Sequence, residues 1–272
     1  NQTHAARALL AFWRAAGVDM EDAEAVYAAG AAATLPARAP AVQARAPLGA
    51  PPSSRPKAAA AQSPIDDARA AAAAANTIAE LRAAVEAFTG CGLKATARNA
   101  VFSDGVDDAQ VLLIGEAPGK EEDEQAKPFV GRSGQLLDRM LATIGISRRS
   151  NLLISNTIFW RPPGNRAPTQ GEIATCLPFC ERLIEVAQPK LLILAGGVAA
   201  QTVLKREDGV MRMRGRRLIY NREERALSVN TMVILHPAYL LRRPQEKRLA
   251  WTDLLQLESW LNELGVERIS CP

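Results

Sequence analysis

Three side chains of different chemical types stand where apolar runs of the chain end. Phe129 lies in a glycine-rich loop, residues 115–134, that follows the first run, whereas Asn156 and His236 stand at the ends of two later runs. An aromatic ring, an amide and an imidazole suit a planar heterocycle, because the ring stacks on it, the amide hydrogen-bonds its edge and the imidazole bonds a carbonyl. These residues therefore indicate a pocket for a nucleobase.

The loop that holds Phe129 is long and acidic. Structureless loops of about 20 residues in compact domains tend to be functional. Its start, GEAPGK, resembles a phosphate-binding P-loop, but that motif needs four residues between its glycines and a Ser or Thr after the lysine. Here three residues separate Gly115 from Gly119, and Glu121 follows Lys120. Nucleotide hydrolysis is therefore excluded.

The elements that would position these residues alternate along the chain. Apolar runs occupy residues 111–114, 152–155, 191–194 and 232–235, and helical patterns occupy residues 135–144, 170–187, 198–204 and 245–264. Runs that alternate with helices predict a parallel sheet covered on both faces. The strand ends of such a sheet meet in one crevice, so we expect Phe129, Asn156 and His236 to lie together.

Composition divides the chain into three parts. Residues 1–30 carry a helical pattern, residues 31–64 are rich in Ala and Pro and predict a disordered linker, and residues 65–272 predict the compact domain. Within that domain we expect an alanine-rich helix at 66–88 and a small hairpin at 210–220. No run approaches the roughly 20 apolar residues that span a membrane.

Charge and cysteine content narrow the partners and the compartment. A net charge of +4 permits contact with a polyanion without requiring it. The four cysteines are too few and too scattered for a disulfide framework. We therefore expect reduced thiols and a cytoplasmic location. We also expect no membrane association and a monomer.

Three segments carry a family resemblance. They read GEAPGKEED with KPFVGRSGQLL, then NTIFWRPPGNRAPT, then HPAYLLR, and they occur in order between residues 88 and 260. Together they resemble the family 4 uracil-DNA glycosylases of the wider uracil-DNA glycosylase superfamily. The resemblance implies a three-layer α/β/α sandwich around a four-stranded parallel sheet. It also implies hydrolysis of the N-glycosidic bond that joins uracil to deoxyribose in DNA.

The resemblance also implies a role for each matching residue. Phe129 would stack on the flipped uracil, Asn156 would hydrogen-bond its edge, and His236 would contact its O2. Glu116, Ala117 and Glu122 would line the pocket beside the sugar and the base. These expectations agree with the nucleobase pocket inferred from the residues alone.

One position in the first motif leaves the attacking water without a partner. The best-known glycosylases of the superfamily carry an aspartate there, and this chain carries Ala117, as is usual for family 4. Another residue must therefore hold the water. The candidates are Glu122, Glu116 and Asn165, and the sequence does not decide among them.

The segment after His236 is expected to approach the DNA. Leu240 or Tyr239 is a candidate to wedge into the gap that the flipped base leaves. Arg242 and Arg243 are placed to contact phosphates. The expected partner is uracil-containing DNA, single- or double-stranded.

The chain departs from the family at its iron–sulfur ligands. Family 4 members typically hold a [4Fe–4S] cluster with four cysteines, and only Cys91 and Cys176 match those positions. Phe88 and Trp160 stand at the other two. Because two thiolates are too few for the usual ligation, we expect no cluster and no other metal.

The sequence thus predicts a monofunctional glycosylase that leaves an abasic site. The motifs position no lysine for Schiff-base chemistry, so strand cleavage is not expected. Two alternatives remain open: a non-catalytic module that binds uracil-containing or abasic DNA, and a glycosylase for another deaminated base. Ala117 and the missing cluster ligands motivate the first alternative.

Overall fold

The computed structural model describes residues 63–268. The predicted helical segment at 1–30 and almost all of the predicted linker at 31–64 lie outside these residues. Within residues 63–268, no helix is both long and apolar enough to cross a lipid bilayer.

A six-stranded sheet forms the centre of the domain. Its strands are β1 (Ser103–Gly105), β2 (Val111–Gly115), β3 (Leu152–Asn156), β4 (Leu191–Ala195), β5 (Arg217–Arg222) and β6 (Leu227–Ile234). Their order is β1-β3-β2-β4-β6-β5; the four inner strands are parallel, and each edge strand is antiparallel to its neighbour. The predicted parallel sheet is confirmed, but the predicted number of strands is wrong. No strand was predicted at β1 because it has only three residues, and β5, which is largely exposed, was expected only as part of a small hairpin.

Helices cover both faces of this sheet. They are α1 (Pro64–Ala74), α2 (Ile78–Ala87), α3 (Lys120–Gln125), α4 (Arg132–Ala142), α5 (Gln170–Ala187), α6 (Gly197–Leu204), α7 (Val210–Met213), α8 (Pro237–Arg242) and α9 (Lys247–Glu263). Successive strand residues point to opposite faces. Leu112 therefore joins a core with α1, α2, α5 and α6, and Leu113 joins a second core with α4, α8 and α9.

Two local predictions need correction. The expected single helix at 66–88 is broken between α1 and α2, because Thr77 caps α2 by accepting the N–H of Glu80, whose carboxylate accepts the N–H of Asn76. The expected hairpin at 210–220 is instead the short helix α7 followed by β5, which pairs with β6.

Candidate active site

A cavity of about 460 Å³ opens beside the carboxyl ends of β2, β3 and β6. Its volume lies within the usual range for small-ligand sites. Phe129, Asn156 and His236 all line it, as do Glu116 and Ala117. The structure therefore brings together the aromatic ring, the amide and the imidazole on which the sequence argument rests.

The loop before Phe129 delivers its ring to the cavity in a constrained conformation. Phe129 has φ of 54°, in the left-handed region that residues other than glycine adopt at a cost. Its ring centroid lies 5.5 Å from that of His236, with the planes inclined by 31°. The phenyl ring and the imidazole thus lie side by side on the wall of the cavity.

Asn156 is a buried amide without a protein partner. It ends β3 and is only 2% exposed, yet its side chain makes no hydrogen bond within residues 63–268. The fully enclosed side-chain atoms that lack a partner do not include those of Asn156, because its amide faces the cavity. An amide placed in this way awaits a ligand that offers both an acceptor and a donor.

The imidazole of His236 is held in one neutral tautomer. Its Nδ1 accepts the N–H of Ala238 at 3.1 Å and so caps α8, which leaves the ring proton on Nε2. Burial lowers the pKa of His236 to about 4, and the charge of Arg242 adds to this shift. At pH 7 the ring is therefore a neutral hydrogen-bond donor on the wall of the cavity.

Glu122 organises the loop rather than presenting a free carboxylate. Its oxygens accept the backbone N–H groups of Gly119, Val130 and Gly131 at 3.0–3.1 Å, and the residue is 7% exposed. These bonds join the start of α3 to the segment that follows Phe129. Glu122 lines the cavity, but its acceptor sites are engaged by backbone donors.

The two other candidates for holding water, Asn165 and Glu116, differ in whether their side-chain oxygens already accept a hydrogen bond. The side-chain oxygen of Asn165 accepts from Nε of Arg161 at 2.6 Å on an exposed turn. The carboxylate of Glu116 has no hydrogen bond or ion pair within the described residues. Burial raises the pKa of Glu116 above its ordinary value of 4.5. Glu116 is therefore the best placed of the three to hold a water molecule.

The packing of α8 adds Leu241 to the candidates for filling the gap that a flipped base would leave. Leu240 is fully buried against α4 and α9, and Tyr239 packs partly against the same core. Leu241 is 36% exposed and lines the cavity. Adjacent residues on a helix face directions about 100° apart, which the pair Leu-Leu in the sequence could not resolve.

Several cations surround the mouth of the cavity. Arg242 lines it, and Arg243 lies exposed at the end of α8. Three further cations and one hydroxyl line the cavity that were not predicted from the sequence: Lys120, Arg132, Arg166 and Ser133. The sequence could have indicated two of them, because Arg132 and Ser133 directly follow Gly131 in the glycine-rich loop, at the start of α4.

The residues near Cys91 do not fit a four-cysteine cluster. Cys176 donates a hydrogen bond to Cys91, with the sulfurs 3.9 Å apart, and this bond lowers the pKa of Cys91 to about 7. Phe88 packs edge-on against Phe179 with centroids 5.1 Å apart, and its centroid lies 6.5 Å from that of Trp160. Within residues 63–268, no group of three His, Cys, Asp or Glu side chains could hold a metal ion.

Comparison with known proteins gives a consistent result. A family model described as the uracil DNA glycosylase superfamily matches residues 102–255. A type-4 uracil-DNA glycosylase of Archaeoglobus fulgidus is 38% identical over 159 residues, which are 57% of this chain and 78% of the relative. The type-4 uracil-DNA glycosylase of Thermotoga maritima is 33% identical over 184 residues, which are 66% of this chain and 93% of the relative.

Proposed function

The chain belongs to the uracil DNA glycosylase superfamily, and from this membership we propose that it hydrolyses the N-glycosidic bond of uracil in DNA. The unpartnered amide of Asn156, buried beside Phe129 and the neutral His236, is the observation that carries the proposal. The amide N–H donates to uracil O4, and its oxygen accepts from N3–H. Cytosine offers the reverse pattern, so it pairs with the amide only if the amide rotates by about 180°.

The depth of the cavity calls for an extruded base. A stacked and paired uracil cannot reach Asn156, so the nucleotide leaves the duplex at a cost of a few kcal/mol. Mispairing with guanine lowers that cost. Leu241, at the cavity mouth, then occupies the space that the base vacates, and Arg242 and Arg243 contact the flanking phosphates.

The charges that develop during bond cleavage match the residues of the site. Positive charge accumulates on the sugar and negative charge on the uracil O2. His236 donates Nε2–H to O2, whereas Glu116 lies free to hold the water that attacks the sugar. Ala117 leaves that task to Glu116 because a methyl group cannot bind water.

The Glu116→Gln variant tests this assignment through its pH dependence. We expect the wild-type single-turnover rate to fall as the pH drops through the raised pKa of Glu116, because a protonated carboxyl loses its hold on the water. The variant should be about 10²-fold slower at pH 7, and its pH–rate profile should lack the acidic limb, the fall in rate at low pH. The measurement is the rate of abasic-site formation between pH 4 and 8.

The matched control for this variant is Glu124→Gln, which changes an exposed carboxylate on α3 outside the cavity. It should retain both the wild-type rate and the wild-type pH profile. An unchanged acidic limb in Glu116→Gln would assign the titration to another group.

The site also supports a monofunctional reaction. Among the described residues, Lys120 is the one lysine that lines the cavity. Its side chain is 66% exposed, and its Nζ lies 3.9 Å from Oε1 of Glu124. An apolar pocket activates a lysine for Schiff-base formation, and this exposed side chain does not lie in one. We therefore propose that the product is an intact abasic strand, without strand cleavage by the protein.

The experiment that tests the function uses oligonucleotides with one uracil, both single-stranded and paired with guanine or adenine. Strand breaks that appear only after alkali treatment are the expected result, and matched thymine and cytosine strands are the controls. If no alkali-labile product forms at enzyme excess while uracil DNA is still bound, the protein is a binding module. Cleavage confined to hypoxanthine would assign it to another deaminated base.

Activity without an iron–sulfur cluster is part of the same proposal. Aromatic side chains of Phe88 and Trp160 stand where two ligands would be, and the Cys91–Cys176 pair supplies only two thiolates. We expect anaerobically purified protein to be colourless, to contain iron well below one atom per chain, and to be fully active. Four iron atoms per chain, lost together with activity on chelation, would contradict this.

A further inference from the structure

We propose that Arg148 is a positioning residue that holds the ring of Phe129 in place as the platform for the base; this inference rests on the proposed function. Arg148 lies in the loop between α4 and β3, outside the motifs and outside the cavity. Its side chain is only 15% exposed. It therefore acts on the reaction through Phe129 and not by touching substrate.

The guanidinium of Arg148 hydrogen-bonds the backbone at Phe129. Its Nη2 donates to the carbonyl of Phe129 at 2.7 Å, and its Nη1 donates to the carbonyl of Pro128 at 2.9 Å. Two successive carbonyls are thus fixed by one rigid fork of donors. A planar guanidinium suits this task because its donors cannot rotate independently of one another.

Two carboxylates hold Arg148 itself. Asp104 on the edge strand β1 accepts from Nη1 at 3.0 Å, and Asp138 on α4 accepts from Nε at 3.0 Å. The side chain thereby connects an edge strand, a helix and the loop that holds Phe129. Because both ends of the connection belong to regular structure, the guanidinium is a fixed point against which the loop is held.

The conformation of Phe129 explains why such a hold is needed. A left-handed φ in a bulky residue is unfavourable and persists only where the surroundings enforce it. Gly134 leaves room for the Phe129 carbonyl, since a methyl group there would lie 1.9 Å from its oxygen. Gly134 only leaves room for this backbone conformation. The two hydrogen bonds from Arg148 hold the backbone in it.

The test compares Arg148→Ala with Arg149→Ala, which removes the same charge from the next, exposed residue. Stacking of a base on an aromatic ring contributes about 5- to 150-fold to an equilibrium constant. For Arg148→Ala we expect uracil binding, measured by equilibrium dialysis of the free base, and the single-turnover rate each to fall by about 10-fold or more. Arg149→Ala should match the wild type in both.

A second measurement separates positioning from general damage. A duplex that contains a tetrahydrofuran abasic analogue has no base to stack on Phe129, so its affinity should be the same for Arg148→Ala and the wild type. Added methylguanidinium should restore part of the lost uracil binding and rate. Arg148→Lys, which keeps the charge but cannot reach both carbonyls, should be intermediate, and it serves if the alanine variant fails to fold.

The outcomes are distinct. Unchanged uracil binding in folded Arg148→Ala and Arg148→Lys would overturn the inference, as would an equal loss of affinity for the abasic analogue. Dialysis of free uracil does not require turnover. If the wild type forms no abasic product but binds uracil in an Arg148-dependent manner, the proposed hydrolysis fails while the role of Arg148 stands.

Discussion

His236→Ala is expected to slow release of uracil from DNA by about 10²- to 10³-fold while leaving DNA binding nearly unchanged. The imidazole donates a hydrogen bond whose value rises as charge builds on O2, and removal of such a donor costs about 3–4 kcal/mol in the transition state. The ground state has little charge at O2, so substrate affinity depends on the bond much less. Single-turnover rates and titration of uracil DNA measure the two quantities separately.

The control for His236→Ala is His4→Ala, which removes the other histidine of the chain. It should retain the wild-type rate. The pKa of His236 is about 4, whereas burial raises that of Glu116 above 4.5, so Glu116 takes up its proton at a higher pH than His236. His236→Ala should therefore retain the acidic limb that Glu116→Gln loses. A wild-type rate for His236→Ala would refute the proposed contact with O2.

Gly115→Ala is expected to abolish most activity while the protein stays folded. A methyl group at Gly115 would lie 2.5 Å from Cζ of Phe129 and 2.6 Å from Oδ1 of Asn156. Both side chains must then move, and both belong to the proposed base pocket. We expect a loss of at least 10²-fold in single-turnover rate, since displacements of about 1 Å can cost that much.

The stability of Gly115→Ala should fall by only about 1–3 kcal/mol, because the groups in the way are the ends of side chains. Gly171→Ala is the matched control, since Gly171 lies on exposed α5 surface with nothing within 4 Å of the added methyl group. It should be fully active and slightly more stable. Wild-type activity in Gly115→Ala would show that neither Phe129 nor Asn156 needs its observed position.

The sequence predicted best those elements whose determinants are local. The predicted bounds of α5, residues 170–187, are confirmed, because Thr169 and Glu172 form a reciprocal cap at its start. The inner strands were visible as apolar runs because both of their faces are buried. The break between α1 and α2 was missed because an alanine-rich composition outweighed a single threonine cap.

The details of the site depended on contacts that sequence patterns do not contain. Motif positions brought Phe129, Asn156 and His236 to one cavity, but they did not reveal which carboxylate was free. That distinction required the backbone bonds to Glu122 from Val130 and Gly131, which lie eight and nine residues further along the chain. Arg148 was invisible for the same reason, since its partners on β1, α4 and the loop are distant along the chain.

The bonds made by Glu122 also bear on where selectivity arises. Glu122 hydrogen-bonds the backbone of Gly119, Val130 and Gly131, so the loop is already ordered by folding. Little conformational entropy of the loop is then left to be lost when DNA binds. If the base is extruded as proposed, capture depends on how often, and for how long, a nucleotide leaves the duplex by its own fluctuation. Lesions in weakly stacked or mispaired surroundings would be found sooner because the DNA, and not the protein, sets the waiting time.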